Sequence, residues 1–219
     1  MEDGELVLIN YVGRLKDNGQ VFEVTSEELA KKENIYNPSF KYGPVPVIIG
    51  GGFILKALDE AIKKMKVGEK KEVELPPAEA FGERDENLIK NIPINMFKDQ
   101  EPIVGSYAKF NGFVGKILSI NGGRVKIDFN HPLAGKIIIY EIEIVSKVED
   151  PVEKIKYIVN YFTGVDNNNL EIKVIDGLVD VEFKNHEEIP TKIKEMIKEN
   201  VFKWIKGSER LRFLDTYNK

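Results

Sequence analysis

The stretch Val47-Ile48-Ile49-Gly50-Gly51-Gly52-Phe53-Ile54-Leu55-Lys56-Ala57-Leu58-Asp59-Glu60-Ala61-Ile62-Lys63-Lys64-Met65-Lys66-Val67-Gly68-Glu69-Lys70 organises the reading of this 219-residue chain. Three hydrophobic residues lead into a glycine triplet, and a short helical pattern follows, closed by Gly68. Ile54, Leu55, Leu58, Ile62 and Met65 are spaced to share one side of a helix, while Lys56, Asp59, Glu60, Lys63 and Lys64 are polar. Ala57 and Ala61 let that helix lie close to a sheet. The glycines admit a close backbone approach and positive φ values that other residues avoid. No Gly-Lys-Ser/Thr follows them, so the triplet is a poor phosphate loop. Alone, the segment reads as a loop leading into an amphipathic core helix.

Composition bounds what surrounds it. The chain is 42% hydrophobic and 31% charged with no low-complexity tract, the profile of an ordinary globular protein with room for two or three modest domains. Its net charge of −4 is spread in both signs, which leaves no basic face for phosphates and no expected nucleic-acid partner. No apolar run approaches the ~20 residues that span a bilayer, and Met1-Glu2-Asp3-Gly4 is no signal sequence. No membrane partner and a cytoplasmic location are therefore expected. Cysteine is absent, which excludes disulfides and thiolate metal sites. With His131 and His186 as the two histidines and no His-rich tail, no metal or other cofactor is expected. The excess of Lys over Arg, with abundant Ile and Glu, fits a thermophile's usage.

Taken in order, Glu5 to Leu15 alternates as a strand, and Asp17-Asn18-Gly19 supplies the positive φ values of a hairpin before Val21-Phe22-Glu23-Val24 returns. Thr25 with Glu28 has capping-box spacing for a short helix over Ser26 to Lys32. A Pro- and Tyr-rich loop then delivers the chain into Val47. Lys70 to Leu75 reads as a half-buried strand stopped by Pro76-Pro77.

Pro76-Pro77-Ala78-Glu79-Ala80-Phe81-Gly82 resembles the flap of FKBP-type peptidyl-prolyl cis-trans isomerases. Tyr11-Val12-Gly13-Arg14-Leu15 with Asp17-Asn18-Gly19-Gln20-Val21-Phe22 resembles the family's opening hairpin, and Ile49-Gly50 through Met65 to Lys70 its central helix and turn. Asp128-Phe129-Asn130-His131-Pro132-Leu133-Ala134-Gly135-Lys136 is similar to the SlyD-like branch. These motifs stand in the family's order. The resemblance implies an α+β fold: an FKBP-type antiparallel sheet wrapped on a short helix (residues 1–83 and 128–150), interrupted by a small β domain inserted in the flap (84–127).

Within the insert, strand patterns run over Leu88 to Ile94, Ser106 to Phe110, Val114 to Ile120 and Arg124 to Ile127, with Asn121-Gly122-Gly123 as a hairpin turn. Ile92, Ile94, Met96, Phe97, Ile103, Val104 and Phe113 are many apolar groups for so small a unit, either its private core or a surface for unfolded clients. Ile137 to Ile144 returns as a long strand. Beyond Asp150-Pro151, residues 151–219 show helical spacing to Gly164, a hairpin around Asp176-Gly177, a helix from Pro190 to Ile205, and a strand from Leu211 to Tyr217. That α-β-β-α-β order suggests a three-stranded sheet with two helices on one face. Its terminal strand invites pairing with a second copy, giving a homodimer; long archaeal FKBPs carry such an extra domain.

The chemistry implied needs no nucleophile, metal or proton relay. An X–Pro bond crosses between isomers over ~18–20 kcal/mol because rotation breaks amide resonance. A dry, aromatic-walled pocket speeds the crossing by holding the twisted amide better than the planar one. Carried over residue by residue, the family's pocket would be lined by Tyr11, Phe22, Glu23, Ile54, Leu55, Leu58, Phe81 and Tyr140. Val47 and His131 would stand near its rim, and the Leu55 N–H would donate to a substrate carbonyl. Ile92, Ile94, Met96, Phe97 and Phe113 would bind clients. Glu23 stands where the family usually has Asp, Phe81 replaces a usual Tyr, and Leu58 matches the SlyD-like branch. Taken singly, each aromatic reads as core packing; taken together in the family's order, they read as the pocket. Two functions follow: an isomerase of proline-containing, unfolded polypeptides coupled to a chaperone insert, or a binding-only holdase.

Overall fold

The computed structural model describes residues 1–97, 101–184 and 188–214. They divide into two compact units: Met1–Gly13, Val21–Val73 and the described part of Tyr140–Lys219 make the first, Arg14–Gln20 and Glu74–Ile139 the second. In chain order come β1 (Leu6–Leu15), β2 (Val21–Val24), α1 (Glu27–Lys32), β3 (Val45–Ile48), α2 (Lys56–Lys63) and β4 (Lys70–Leu75). Next are β5 (Ile89–Pro93), β6 (Tyr107–Phe110), β7 (Phe113–Asn121), β8 (Arg124–Asp128) and β9 (Ile138–Val148). The chain continues through α3 (Pro151–Thr163), β10 (Leu170–Ile175), β11 (Leu178–Phe183), α4 (Thr191–Trp204) and β12 (Arg210–Leu214). The α+β class holds.

Three sheets result, ordered β2-β1-β9-β4 with β3 on β1, β5-β8-β7-β6, and β10-β11-β12. Two hairpins follow directly from their turn residues. Asn121 pairs Arg124 across Gly122 (φ 55°) and Gly123 (φ 71°). Ile175 pairs Leu178 across Asp176 (φ 47°) and Gly177 (φ 74°). Two central residues at positive φ give the turn whose twist matches that of the strands, which is why Gly and Asp stand there.

Helix ends obey the same local rules, with two corrections. Asp150 caps α3 by accepting from the Glu153 N–H, Pro151 occupies its first turn, and Gly164 closes it in the left-handed region. For α1 the cap is Ser26, which accepts from Leu29 N–H, rather than Thr25. Thr25 is buried instead, its hydroxyl accepting from the Tyr11 N–H at 3.0 Å. The central helix α2 is shorter than the apolar pattern suggests, and Asp59, expected on its polar side, is 7% exposed. Both Asp59 carboxylate oxygens accept from the Gly50 N–H, at 3.1 and 2.9 Å, so a helix side chain holds the glycine loop.

The described part of residues 151–219, expected as a domain of their own, shares a hydrophobic cluster with Leu6 of β1 and Ile48 of β3. Ile155, Ile158 and Val159 of α3 and Ile197 and Val201 of α4 supply much of it, against Val179 and Val181 of β11. The last strand starts at Arg210 and is described to Leu214; the rest of the expected strand, and His186, lie outside the described residues. Among the described residues no helix is long and apolar enough to cross a membrane.

In the second unit, β5, β8, β7 and β6 pair antiparallel around Ile92, Ala108, Ile117, Val125 and Ile127. Ile92, expected among the client-binding residues, is 7% exposed and belongs to this core: on β5 its side chain faces inward opposite Val125. Phe97 is half-buried against the same core.

Candidate active site

Tyr11 and Gly13 are two apart on β1 and therefore share a face. Phe22 and Glu23 come from β2 and Tyr140 from β9. The Tyr140 ring is met edge-on by Tyr11 at 6.0 Å and by Phe22 at 5.9 Å, and its hydroxyl donates to Glu23 Oε1. Gly13 makes that gathering possible. A Cβ there would lie 2.8 Å from Phe22 Cζ, 3.0 Å from Tyr140 Cε1 and 3.1 Å from Glu23 Cγ.

These residues back a cavity of about 210 Å³, lined by Tyr11, Phe22, Glu23 and Val24 on one side and Ile35, Asn37, Phe40 and Tyr42 on the other. The second wall is the Pro- and Tyr-rich loop. It is tied down by Gly43 N–H donating to Thr25 O (2.9 Å), Ile35 N–H to Ala30 O (3.0 Å), and Asn37 N–H to the Tyr42 hydroxyl (2.9 Å). Tyr42 stacks on Tyr36 at 5.6 Å and meets Phe40 edge-on at 5.2 Å; Tyr36 and Phe40 are both exposed.

The wall is poorly solvated, and its titrations record that. Burial pushes the Glu23 carboxyl above its usual range, partly offset by the Tyr140 hydrogen bond. Burial, reinforced by the Glu23 charge, pushes the Tyr11 hydroxyl up to about 12. Tyr140 is raised by burial and by its bond to Glu23, so both phenols stay protonated near neutrality. No group here is poised as a nucleophile. The arrangement offers an aromatic, low-dielectric wall, which suits a reaction that only twists an amide.

Ile54, Leu55 and Leu58 are outside the lining of this cavity. Ile54 and Leu55 are half-buried where α2 begins, with Leu55 at its N-cap, and Leu58 is buried inside it. Val47, expected near the rim, is 1% exposed: it pairs Val7 on β3 and packs inward. In the second unit Phe81 and His131 stack face to face at 4.7 Å with 3° between rings, and His131 Nδ1 accepts from the Leu133 N–H. Ile94, Met96 and Phe113 are exposed, joined by Ile103, Val104, Tyr107 and Val114.

The chain enters and leaves the β5–β8 sheet through a polar latch. Arg84 Nη2 donates to Asp128 Oδ2 at 2.6 Å, and Asn130 exchanges bonds with the Asp85 backbone at 2.8 and 2.9 Å. Burial alone would raise the Asp128 carboxyl, but donors from Asn130 and Arg84 outweigh it and hold it below its usual range. The Asp128-Phe129-Asn130 motif therefore has a structural cause.

A family model for FKBP-type peptidyl-prolyl cis-trans isomerase matches residues 1–98, and a second, described as the IF domain of FKBP26, matches residues 90–133. The short-type peptidyl-prolyl cis-trans isomerase of Methanocaldococcus jannaschii is 38% identical over 146 residues, covering 66% of this chain and 92% of that protein. The chain belongs to the FKBP-type peptidyl-prolyl cis-trans isomerases. A probable FKBP-type 16 kDa isomerase of Pseudomonas fluorescens is 30% identical over 134 residues (58% of this chain, 89% of that protein). The SlyD isomerase of Pasteurella multocida is 29% identical over 119 residues (52% and 60%).

Within this FKBP the sequence reading missed one whole wall of the cavity. Ile35, Asn37, Phe40 and Tyr42 sit in a loop without periodicity; the available signal was aromatic density, Tyr36, Phe40 and Tyr42 within seven residues of a loop. Asp59 was missed because a polar residue in an amphipathic pattern reads as solvated.

Proposed function

We propose that this FKBP accelerates X–Pro isomerisation in unfolded polypeptides, with turnover beside the Tyr11–Phe22–Glu23–Tyr140 cluster and client capture by the inserted residues 84–127. The observation that carries the reading is the aromatic cluster around Gly13, dry enough to raise the titrations of Glu23 and Tyr11. A twisted amide loses the resonance that makes its planar form polar, so an apolar wall favours it over the ground state. Each ~1.4 kcal/mol of that preference is tenfold in rate.

Capture is assigned to the exposed apolar residues of the insert, Phe113 at 70% exposure above all. Phe113→Ser should leave stability within about 0.5 kcal/mol, as for other exposed positions, while slowing refolding of a proline-limited protein client. A short prolyl peptide should be turned over as before. Equal rates on the protein client would remove Phe113 from capture.

The whole reading is tested by proline-limited refolding with the full chain and with one in which residues 89–127 are replaced by a short glycine linker, a cut that keeps the Arg84–Asp128 latch. Acceleration by the full chain, reduced in the shortened one, is expected. No acceleration by the full chain favours a holdase, a reading that the same exposed apolar residues support. Homodimerisation through the β10-β11-β12 sheet, whose outer strands are β10 and β12, belongs to the same proposal. Light scattering should return twice the monomer mass; a monomer at micromolar concentrations would remove it.

A further inference from the structure

We infer that the end of α3 is a positioning element of the isomerase site, acting through Phe53. The inference rests on the proposed isomerase activity and on the role that the family resemblance implies for Ile54 and Leu55, whose turn opens α2. Phe53 immediately precedes them, and its ring is gripped from outside the FKBP motifs. Its centroid lies 4.4 Å from Tyr161 at 72° and 6.3 Å from Phe162, and those two rings meet edge-on at 5.1 Å. Gly51 leaves room for the ring: a Cβ there would fall 2.6 Å from two Phe53 ring carbons.

The segment Gly50–Leu55 is therefore held at both ends. Asp59 binds the Gly50 N–H, and the Leu55 carbonyl accepts from the N–H groups of Leu58 and Asp59, each at 3.0 Å, where α2 starts. Between those anchors the side chain that fixes the loop is Phe53, and its aromatic partners are on α3. The same stretch reaches the other cavity wall. Lys41, between the lining residues Phe40 and Tyr42, pairs with Asp166 Oδ2 at 2.5 Å, while Asp166 Oδ1 is fixed by the Asn168 N–H. Residues 161–166 thus touch both the loop before α2 and the loop that walls the cavity.

Core packing does not account for Tyr161. It is 50% exposed, and Ile155, Ile158 and Val159 are the residues that bury α3. A ring at that place does its ordering work on Phe53. Displacement of a binding group by about 1 Å costs on the order of a hundredfold in rate, so a modest loosening is readable.

The experiment uses the full chain and a prolyl tetrapeptide, a substrate that needs no capture by the insert. Tyr161→Ala should lower kcat/KM at least fivefold, mainly in kcat, with a melting temperature close to wild type. Tyr161→Phe, which keeps the ring, should restore wild-type turnover. Phe53→Leu should show a similar loss, and the double variant no more than either alone, because both act through one contact. Turnover within twofold of wild type in Tyr161→Ala, or additive losses in the double variant, would overturn the inference while leaving the isomerase reading intact. A wild-type chain inert on the peptide would sink both.

Discussion

Gly13→Ala should lower isomerase turnover at least tenfold while costing no more than about 2.6 kcal/mol of stability. Gly13 has an ordinary φ, so alanine meets no backbone strain there. By itself the change would stabilise the chain by about 0.4–1 kcal/mol through the unfolded state. Against that, the new methyl would stand 2.8 Å from Phe22 Cζ and 3.0 Å from Tyr140 Cε1, and overpacking of this kind costs about 1–3 kcal/mol. Which ring yields decides the outcome. Tyr140 is buried and tied to Glu23, whereas Phe22 borders the open cavity. Phe22 is the ring with somewhere to go, and it goes into the space the proline would use. Turnover on a prolyl tetrapeptide and urea unfolding of the same variant check the two halves. Wild-type turnover in Gly13→Ala would remove this cluster from the site.

That glycine also marks the boundary of what the sequence makes legible. The hairpins at Asn121-Gly122-Gly123 and Asp176-Gly177 and the caps of α3 are local: dihedral preference and one side-chain bond decide them, and residue types report both. The aromatic cluster was legible by family order, since nothing in the alternation of β1 says that Tyr11 meets Tyr140. Three misplacements share one cause. Asp59, Val47 and Ile92 were each assigned an environment from residue type and spacing, yet burial is set by which neighbour arrives. Asp59 turns inward because the Gly50 N–H needs an acceptor, and Val47 and Ile92 because Val7 and Val125 stand across the ladder. The contacts of α3 and the β10-β11-β12 sheet with Leu6, Ile48 and Phe53 were illegible for the same reason, being long-range pairings between segments that each read as complete.

Tyr140→Phe should destabilise the chain by about 1–3 kcal/mol near neutral pH, the usual cost of removing a partner from a hydrogen-bonded charge, and by less in acid. The sign comes from Glu23. Burial raises its folded pKa above the unfolded value, so the native state holds the proton more tightly. Stability is therefore unaffected by this group below the ordinary carboxylate range, falls as pH climbs from there to the raised folded value, and stays reduced above it. The Tyr140 hydroxyl opposes the shift by donating to the charged form. Without it the folded pKa of Glu23 rises further, the falling limb extends to higher pH, and the penalty on the ionised state grows. Glu23→Gln removes the titration and should flatten the profile across the same range, since the amide oxygen can still accept from Tyr140. Urea unfolding at intervals between pH 4 and 8 reads all three chains. A Tyr140→Phe deficit that is the same at pH 4 and pH 8 would mean that the hydroxyl packs without supporting the charge. If the profile is flat and Glu23→Gln leaves it unchanged, the carboxyl is solvated, and the dry wall on which the isomerase reading depends is absent.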